Sequence, residues 1–287
     1  MARHMFHSPV ARTAILATAL GAMTAALHDD THAEGKLDAR YSISFARLEV
    51  GEISGTVVFG DSDYAISARG RAGGIMKALI DGEGSFAARG SVKEGHPFPT
   101  TFTSKIVSDV ETSQVTMVLD DGRVKELTAI PSPNTNSVPL TETNRQGIVD
   151  PLTAMLFSAA VIGEGLSQAA CRQTLPIFDG RQRYDLKLAF KRMDKVTAEK
   201  GYSGPLVVCS VTYEPIAGHR SSTALVKYLS EGSEMEMALA PVAGTRLLVP
   251  FRVSVVSILA NLVIVANRFE VVAQPAGAST LADPKPQ

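Results

Sequence analysis

From Arg40 almost to its end the chain is written mainly in steps of two, and that alternation limits its fold more than any other feature. In "YSISFARLEV" Tyr41, Ile43 and Phe45 alternate with Ser42, Ser44 and Ala46, and "GEISGTVVFG", "SDYAISARGRA" and "GEGSFAARGSV" follow, each bounded by Gly or Asp. Successive side chains on a strand point to opposite faces, so short alternating runs broken by turn residues specify an antiparallel meander. "ETSQVTMVLDDGRVKELTAI" is the clearest hairpin, because Asp121-Gly122 supplies the positive φ angles of a tight connection. Strands resume later with "YDLKLAFKRM", "GPLVVCSVTYEPI", "SEMEMALAPV", "RLLVPFRVSVVS" and "ANLVIVANRFEVV". Residues 253–266, "VSVVSILANLVIVA", are too short to span a membrane and carry Asn261 near their middle. Their Val and Ile content predicts two buried strands with a turn near residues 257–261.

The period breaks in three places. "GGIMKALIDG" predicts a short helix or an apolar lid between strands. "PSPNTNSVPL", residues 131–140, is a loop, since its prolines forbid regular pairing. "DPLTAMLFSAAV" predicts a helix with Asp150 as N-cap and Pro151 at the first helical position. Its Leu152, Met155, Leu156 and Ala159 share one face, which would pack against the inner face of the sheet.

The two ends lie outside this pattern. Arg3 and Arg12 precede the uncharged run "TAILATALGAMTAAL", so residues 1–33 read as a secretory signal, cleaved after Ala26 or Ala33. No Cys stands near either position, so a lipid anchor is not expected. The folded domain is expected over residues 36–272 and a disordered tail over residues 273–287, "AQPAGASTLADPKPQ". His4, His7, His28 and His32 lie in or beside this segment, so the folded domain keeps only His96 and His219, far apart.

Few function classes survive. A formal net charge of −1 gives no electrostatic case for nucleic acid or an anionic membrane. Without Trp, and with 6% aromatics, a stacking platform is poorly supported. "GEGSFA" fits a dinucleotide-binding pattern only superficially, because it runs into a strand rather than a helix. Its glycines read as sites where strands bend or bulge. No G-x-S-x-G occurs, and the acidic pairs Asp61/Asp63 and Asp120/Asp121 fall at turns. Two isolated histidines make no metal-ligand cluster, and neither a cofactor nor a metal is expected.

The stretch "CRQTLPIFDGRQRYDLKLAF" concentrates what remains. Cys171 and Cys209 are the only cysteines; export to an oxidising compartment favours a disulfide between them over a reactive thiol. Cys209 stands in the apolar run "PLVVCSVTY", an environment that blunts thiol reactivity. Asp179-Gly180 reads as a hairpin turn. On the strand that follows, Arg181, Arg183, Asp185 and Lys187 share one face, and Gln182, Tyr184, Leu186 and Leu188 the other. That basic face, extended by Arg172, Lys191 and Arg192, is either a solvated exterior or a positive patch for an anionic headgroup or acidic partner. His219, in "IAGHRSS", is the histidine with most scope for a role, whereas His96 reads as an exposed turn residue.

The set "DPLTAML", "TLPIFDGRQRYDLKLAFKRMDKV", "GYSGPLVVCSVTYEPIAGH" and "MEMALAPVAGTRLLVPFRVSV" resembles the family of exported proteobacterial proteins known as domain of unknown function 3108. The resemblance runs from about Lys36 to Val272 and includes the opening strand pair. It implies a curved antiparallel sheet forming a partly closed barrel, similar to those of periplasmic lipoprotein carriers, and a periplasmic location. Both cysteines match recurring positions, which supports the bridge; the family brings no established activity and hence no functional residues.

The expectation is therefore a mainly β protein with a single strongly curved antiparallel sheet and one or two short helices. It would be non-catalytic and bind a lipid or acyl chain on the concave side of the sheet. The alternative is a structural or adaptor protein that holds an envelope partner through strand edges and Arg181, Arg183 and Lys187. An enzyme is the least supported reading.

Overall fold

The computed structural model describes residues 35–60, 62–74, 81–132, 136–158, 166–230, 233–256 and 260–273. The expected signal segment, the tail beyond residue 273, the middle of "GGIMKALIDG" and the turn at residues 257–259 lie outside them.

Among the described residues fifteen strands form one sheet. They are β1 (Gly35–Phe45), β2 (Leu48–Phe59), β3 (Asp63–Ala72), β4 (Gly82–Lys93), β5 (His96–Ser108), β6 (Thr112–Asp120), β7 (Arg123–Ile130), β8 (Phe157–Ser158), β9 (Gln173–Phe178), β10 (Arg183–Thr197), β11 (Lys200–Gly201), β12 (Ser203–Ala217), β13 (Glu234–Pro241), β14 (Leu247–Val256) and β15 (Asn261–Ala273). The spatial order is β7-β6-β5-β4-β3-β2-β1-β15-β14-β13-β12-β10-β9. Two consecutive meanders are thus joined where β1 pairs antiparallel with β15, Ala39 opposite Phe269. The short β8 adds to β14, and β11 is the one strand that pairs parallel.

The hairpin at Asp121-Gly122 takes the expected form, with φ of +46° and +67°. Ala46 and Arg47 turn β1 into β2 in the same left-handed conformation, φ +51° and +68°. Register shifts at Arg40/Tyr41, Ile43/Ser44, Arg89/Gly90 and Phe190/Arg192 insert extra residues, and such bulges sharpen the twist that rolls a sheet.

The roll stops short of closure. The end strands β7 and β9 do not pair; residues 147–149 fill the gap between them. Ile148 N–H donates to the Gly122 carbonyl (3.0 Å), Val149 N–H to that of Pro176 (2.9 Å), and Phe178 N–H to that of Val149 (3.0 Å). Buried Ile148 and Phe178 belong to the main core, with Tyr64, Phe251 and Phe269. Each such ring contributes about 1.5–3 kcal/mol on burial.

A second core lies on the other side of β12–β14. Leu206, Val208, Ala238 and Ala240 face the barrel interior, while Val207, Cys209, Met237 and Leu239 face outward under Phe157, Ala170 and Cys171. Burial on both faces explains why "PLVVCSVTY" is continuously apolar rather than alternating. The Cys171–Cys209 disulfide is present, spanning 38 residues. It fastens this outer strap to a central strand.

The sequence-predicted helix at Asp150 is replaced. Asp150 does cap, its Oδ1 accepting from Leu152 N (2.9 Å) and Thr153 N (3.0 Å), but only a single 3-10 turn, Thr153–Met155, follows. Phe157 and Ser158 are then captured as β8 beside Leu248 and Leu247, and Ser158 Oγ donates to the Gly95 carbonyl (2.6 Å). Strand pairing on a preformed edge outcompetes a helix of marginal length. Among the described residues the one α-helix is α1 (Ala224–Ser230), which the residue pattern had not signalled.

Candidate apolar ligand site

The concave face of β1–β4 encloses a cavity of about 640 Å³. Its wall follows the strand alternation: Leu37, Ala39, Tyr41 and Ile43 from β1, Ile53 and Val57 from β2, with Val249 and Val253 from β14 and Ile264 from β15. Leu152, Met155 and Leu156 enter from the 3-10 turn that replaced the helix. The space exists because inward positions on three adjacent strands carry almost no side chain: Gly51 and Gly55, Ala68, Gly70 and Ala72, then Gly82 and Gly84. A Cβ at Gly55 would meet nothing nearer than the Ser67 carbonyl at 3.8 Å, so this glycine is not forced by crowding. Gly51 differs, since its Cβ would fall 2.7 Å from the Arg71 carbonyl, a close strand approach that admits only glycine.

The wall is apolar almost throughout. Tyr41 spends its hydroxyl on the Pro250 carbonyl (2.8 Å), and burial raises its pKa further above the ordinary phenol range. Arg71 and Glu83 stand at exposed positions of the lining, and Arg71 Nε donates to Glu52 (2.7 Å). Apolar walls give water too few hydrogen-bonding partners, so such a cavity favours an apolar occupant.

Asp150 anchors the inserted wall. It is fully buried, its Oδ2 has no partner, and burial pushes its carboxyl up to about 6 despite hydrogen bonds from Thr153 and Leu152. Beside it the hydroxyls of Tyr64 and Thr153 meet at 2.6 Å, tying the turn to β3.

The basic hairpin lies elsewhere. Its turn forms as read, with Asp179 Oδ1 accepting from Arg181 N (2.8 Å) and Gln182 N (2.6 Å) and Gly180 at φ +91°. Most of its cations are paired. Arg183 contacts Asp185 (2.5 Å) and the Tyr184 carbonyl (2.7 Å), Lys187 meets Glu214 (2.5 Å), and Arg192 holds Glu236 through two hydrogen bonds (3.0 and 2.9 Å). The Arg192 guanidinium, joined by Lys191, holds the Glu236 carboxyl down to about 2. This face is therefore a ladder of alternating charge. Arg181 stands apart, donating to the Ile130 carbonyl (2.8 Å). His96 is exposed at its turn, as read, with Nδ1 3.2 Å from the Glu94 carbonyl.

The sequence points to an apolar ligand on the concave side but not to the space that would hold it, nor to the counter-ions. The glycines of "GEGSFA", read as bends, are part of the signal for that space. Glu214 lies on β12 beside β10 and Glu236 one strand further, on β13, so only the assembled sheet brings them to the cations of β10. Among the described residues no three His, Cys, Asp or Glu side chains gather as a metal site, and no helix is long and apolar enough to cross a membrane.

No curated protein matches the chain. Among solved structures it is similar to a β-barrel-like protein of domain of unknown function DUF1849 from Brucella abortus, at 12% identity and a TM-score of 0.48, over 84% of this chain and 98% of that one. The profile of the proteins of unknown function DUF3108 matches residues 40–258, from within β1 past the end of β14. That match takes in the strap and every strand but β15 and the start of β1, and the chain belongs to the DUF3108 family.

Proposed function

We propose that this protein is an exported, periplasmic binding protein that carries no chemistry of its own and takes an acyl chain into the cavity on the concave face of its sheet. The observation that carries the reading is the 640 Å³ apolar space lined by glycine and alanine on β2–β4. Strand interiors filled with glycine lose packing and backbone entropy, so leaving these positions empty costs stability that a bound ligand offsets. The buried disulfide fits an oxidising compartment.

Native mass spectrometry after mild purification, followed by titration with palmitate, tests the reading. Co-purifying lipid or saturable palmitate binding at one chain per protein is expected. Gly55→Val or Ala68→Leu should weaken palmitate binding roughly tenfold or more by occupying the space. Folding should be unharmed, because Gly55 has room for a Cβ. A consistently ligand-free protein that ignores palmitate would sink the proposal.

The adaptor reading, with Arg181, Arg183 and Lys187 on a partner, draws its support from the end strand β7, where the Ile130 side chain is exposed. Pull-down of one reproducible envelope protein, lost on Arg181→Glu with Arg183→Glu, would favour it over lipid binding.

A further inference from the structure

We propose that a second, polar pocket where the barrel ends meet is an oxyanion site that takes a phosphate group. It has a volume of about 250 Å³, and its wall includes Arg181, Gln182, Tyr213, His219, Arg220 and Thr223. It shares no lining residue with the apolar cavity, so it stands independently of the acyl-chain reading.

Two buried nitrogens, Arg181 Nε and His219 Nδ1, have no hydrogen-bond partner. Buried polar atoms are nearly always paired, and an orphaned guanidinium N–H beside an orphaned imidazole nitrogen, which donates in one tautomer, points to a missing acceptor. Their positions are fixed without it. The Arg181 guanidinium is tethered by its NH2 to the Ile130 carbonyl (2.8 Å), and its backbone amide by Asp179 Oδ1 (2.8 Å). The His219 loop is clamped at both ends of a short ladder, Val138 N–H to the His219 carbonyl (2.9 Å) and Gly218 N–H to the Val138 carbonyl (2.8 Å). Gly218, at φ +79°, has the Arg181 carbonyl where a Cβ would stand, so the loop bearing His219 packs directly on the turn bearing Arg181.

Arg220 lines the same pocket, is exposed, and makes no ion pair among the described residues. Asp179, in the turn bearing Arg181, directs Oδ1 at the amides of Arg181 and Gln182, and burial raises its pKa. Two guanidinium groups, an imidazole and the hydroxyls of Tyr213 and Thr223 suit an acceptor-rich anion of one or two charges.

Calorimetric titration of the full chain with inorganic phosphate tests this, alongside flotation with phosphatidylglycerol vesicles in the presence and absence of phosphate. Saturable phosphate binding is expected. Arg220→Ala, which breaks no internal contact, should weaken it roughly tenfold or more, and His219→Gln likewise. Lys105→Gln, at an exposed position of β5 outside the pocket, should leave it unchanged. Vesicle binding that phosphate competes away would identify a lipid headgroup as the source; phosphate binding without vesicle binding would identify the free anion. If the intact protein binds neither, or if Arg220→Ala and His219→Gln bind as tightly as wild type, the proposal is wrong.

Discussion

Protein with Cys171 and Cys209 reduced is expected to be about 4 kcal/mol less stable than the oxidised form. The bridge closes a loop of 38 residues, and on the chain-entropy account freeing a loop of that length returns about this much to the unfolded chain. The rest of the strap's attachment does not depend on sulfur. Ala170 is buried with Phe157, Leu188, Val207 and Leu239, Ser167 Oγ accepts from Ala169 N (3.1 Å), and Gln173 Nε2 donates to the Ala170 carbonyl (2.7 Å). These contacts should hold the strap in place after reduction, so the native surface area stays the same. Urea unfolding should therefore show a lower midpoint and a slope no shallower than that of the oxidised form, because the uncrosslinked unfolded chain exposes at least as much surface. Both sulfurs are fully buried, so thiols of reduced native protein should label far more slowly than those of the unfolded chain. Equal midpoints for the two redox states would contradict this account, and a shallower slope would show that the strap detaches from the native protein.

What could be read from the sequence depended on whether the deciding interaction was local. The Asp121-Gly122 turn and the Asp179 turn were legible because each is settled within four residues. The Ala46-Arg47 turn was not, since neither residue favours positive φ; the pairing of β1 with β2 on one side and β15 on the other imposes it. The predicted helix after Asp150 failed for the same reason in reverse. Its cap, its proline and its apolar face were all present, but β14 offered Phe157 and Ser158 a strand edge first. The disulfide was legible because two cysteines have one pairing. Its structural meaning was not, because a strap across the outer face of β12 depends on Leu188, Val207 and Met237 meeting from three strands. The cavity was hardest. Glycine and alanine at alternate positions specify absent side chains, and only the assembled barrel shows whether a neighbour fills the space.

Stability should fall by about 2 kcal/mol as pH rises from about 4 to about 6, and Asp150→Asn should remove most of that fall. Burial raises the Asp150 carboxyl from 3.8 to about 6 in the folded protein. Between these values the folded state holds a proton that the unfolded chain has released, so the stabilisation is complete below the unfolded value and is lost as pH rises through the folded one. Asp179 is raised for the same reason and adds a slope of the same sign. Glu236, held at about 2 by Arg192, and Asp194, lowered by the Lys195 amide and Arg252, act oppositely and lose stability as pH falls below the ordinary carboxylate range. Wild type should therefore be most stable at mildly acidic pH. Asparagine keeps the acceptor that Leu152 and Thr153 use and places a neutral amide where Oδ2 has no partner. The variant should match wild type near pH 4 and exceed it above pH 6, with Asp179 accounting for the slope that remains. Urea midpoints measured across this range decide the matter, and parallel profiles for the two proteins would show that Asp150 is not the group that titrates. Because Asp150 caps the turn bearing Leu152, Met155 and Leu156, its ionisation loads strain on one wall of the apolar cavity. Palmitate affinity of wild type should accordingly decline over the same interval, while that of Asp150→Asn stays level.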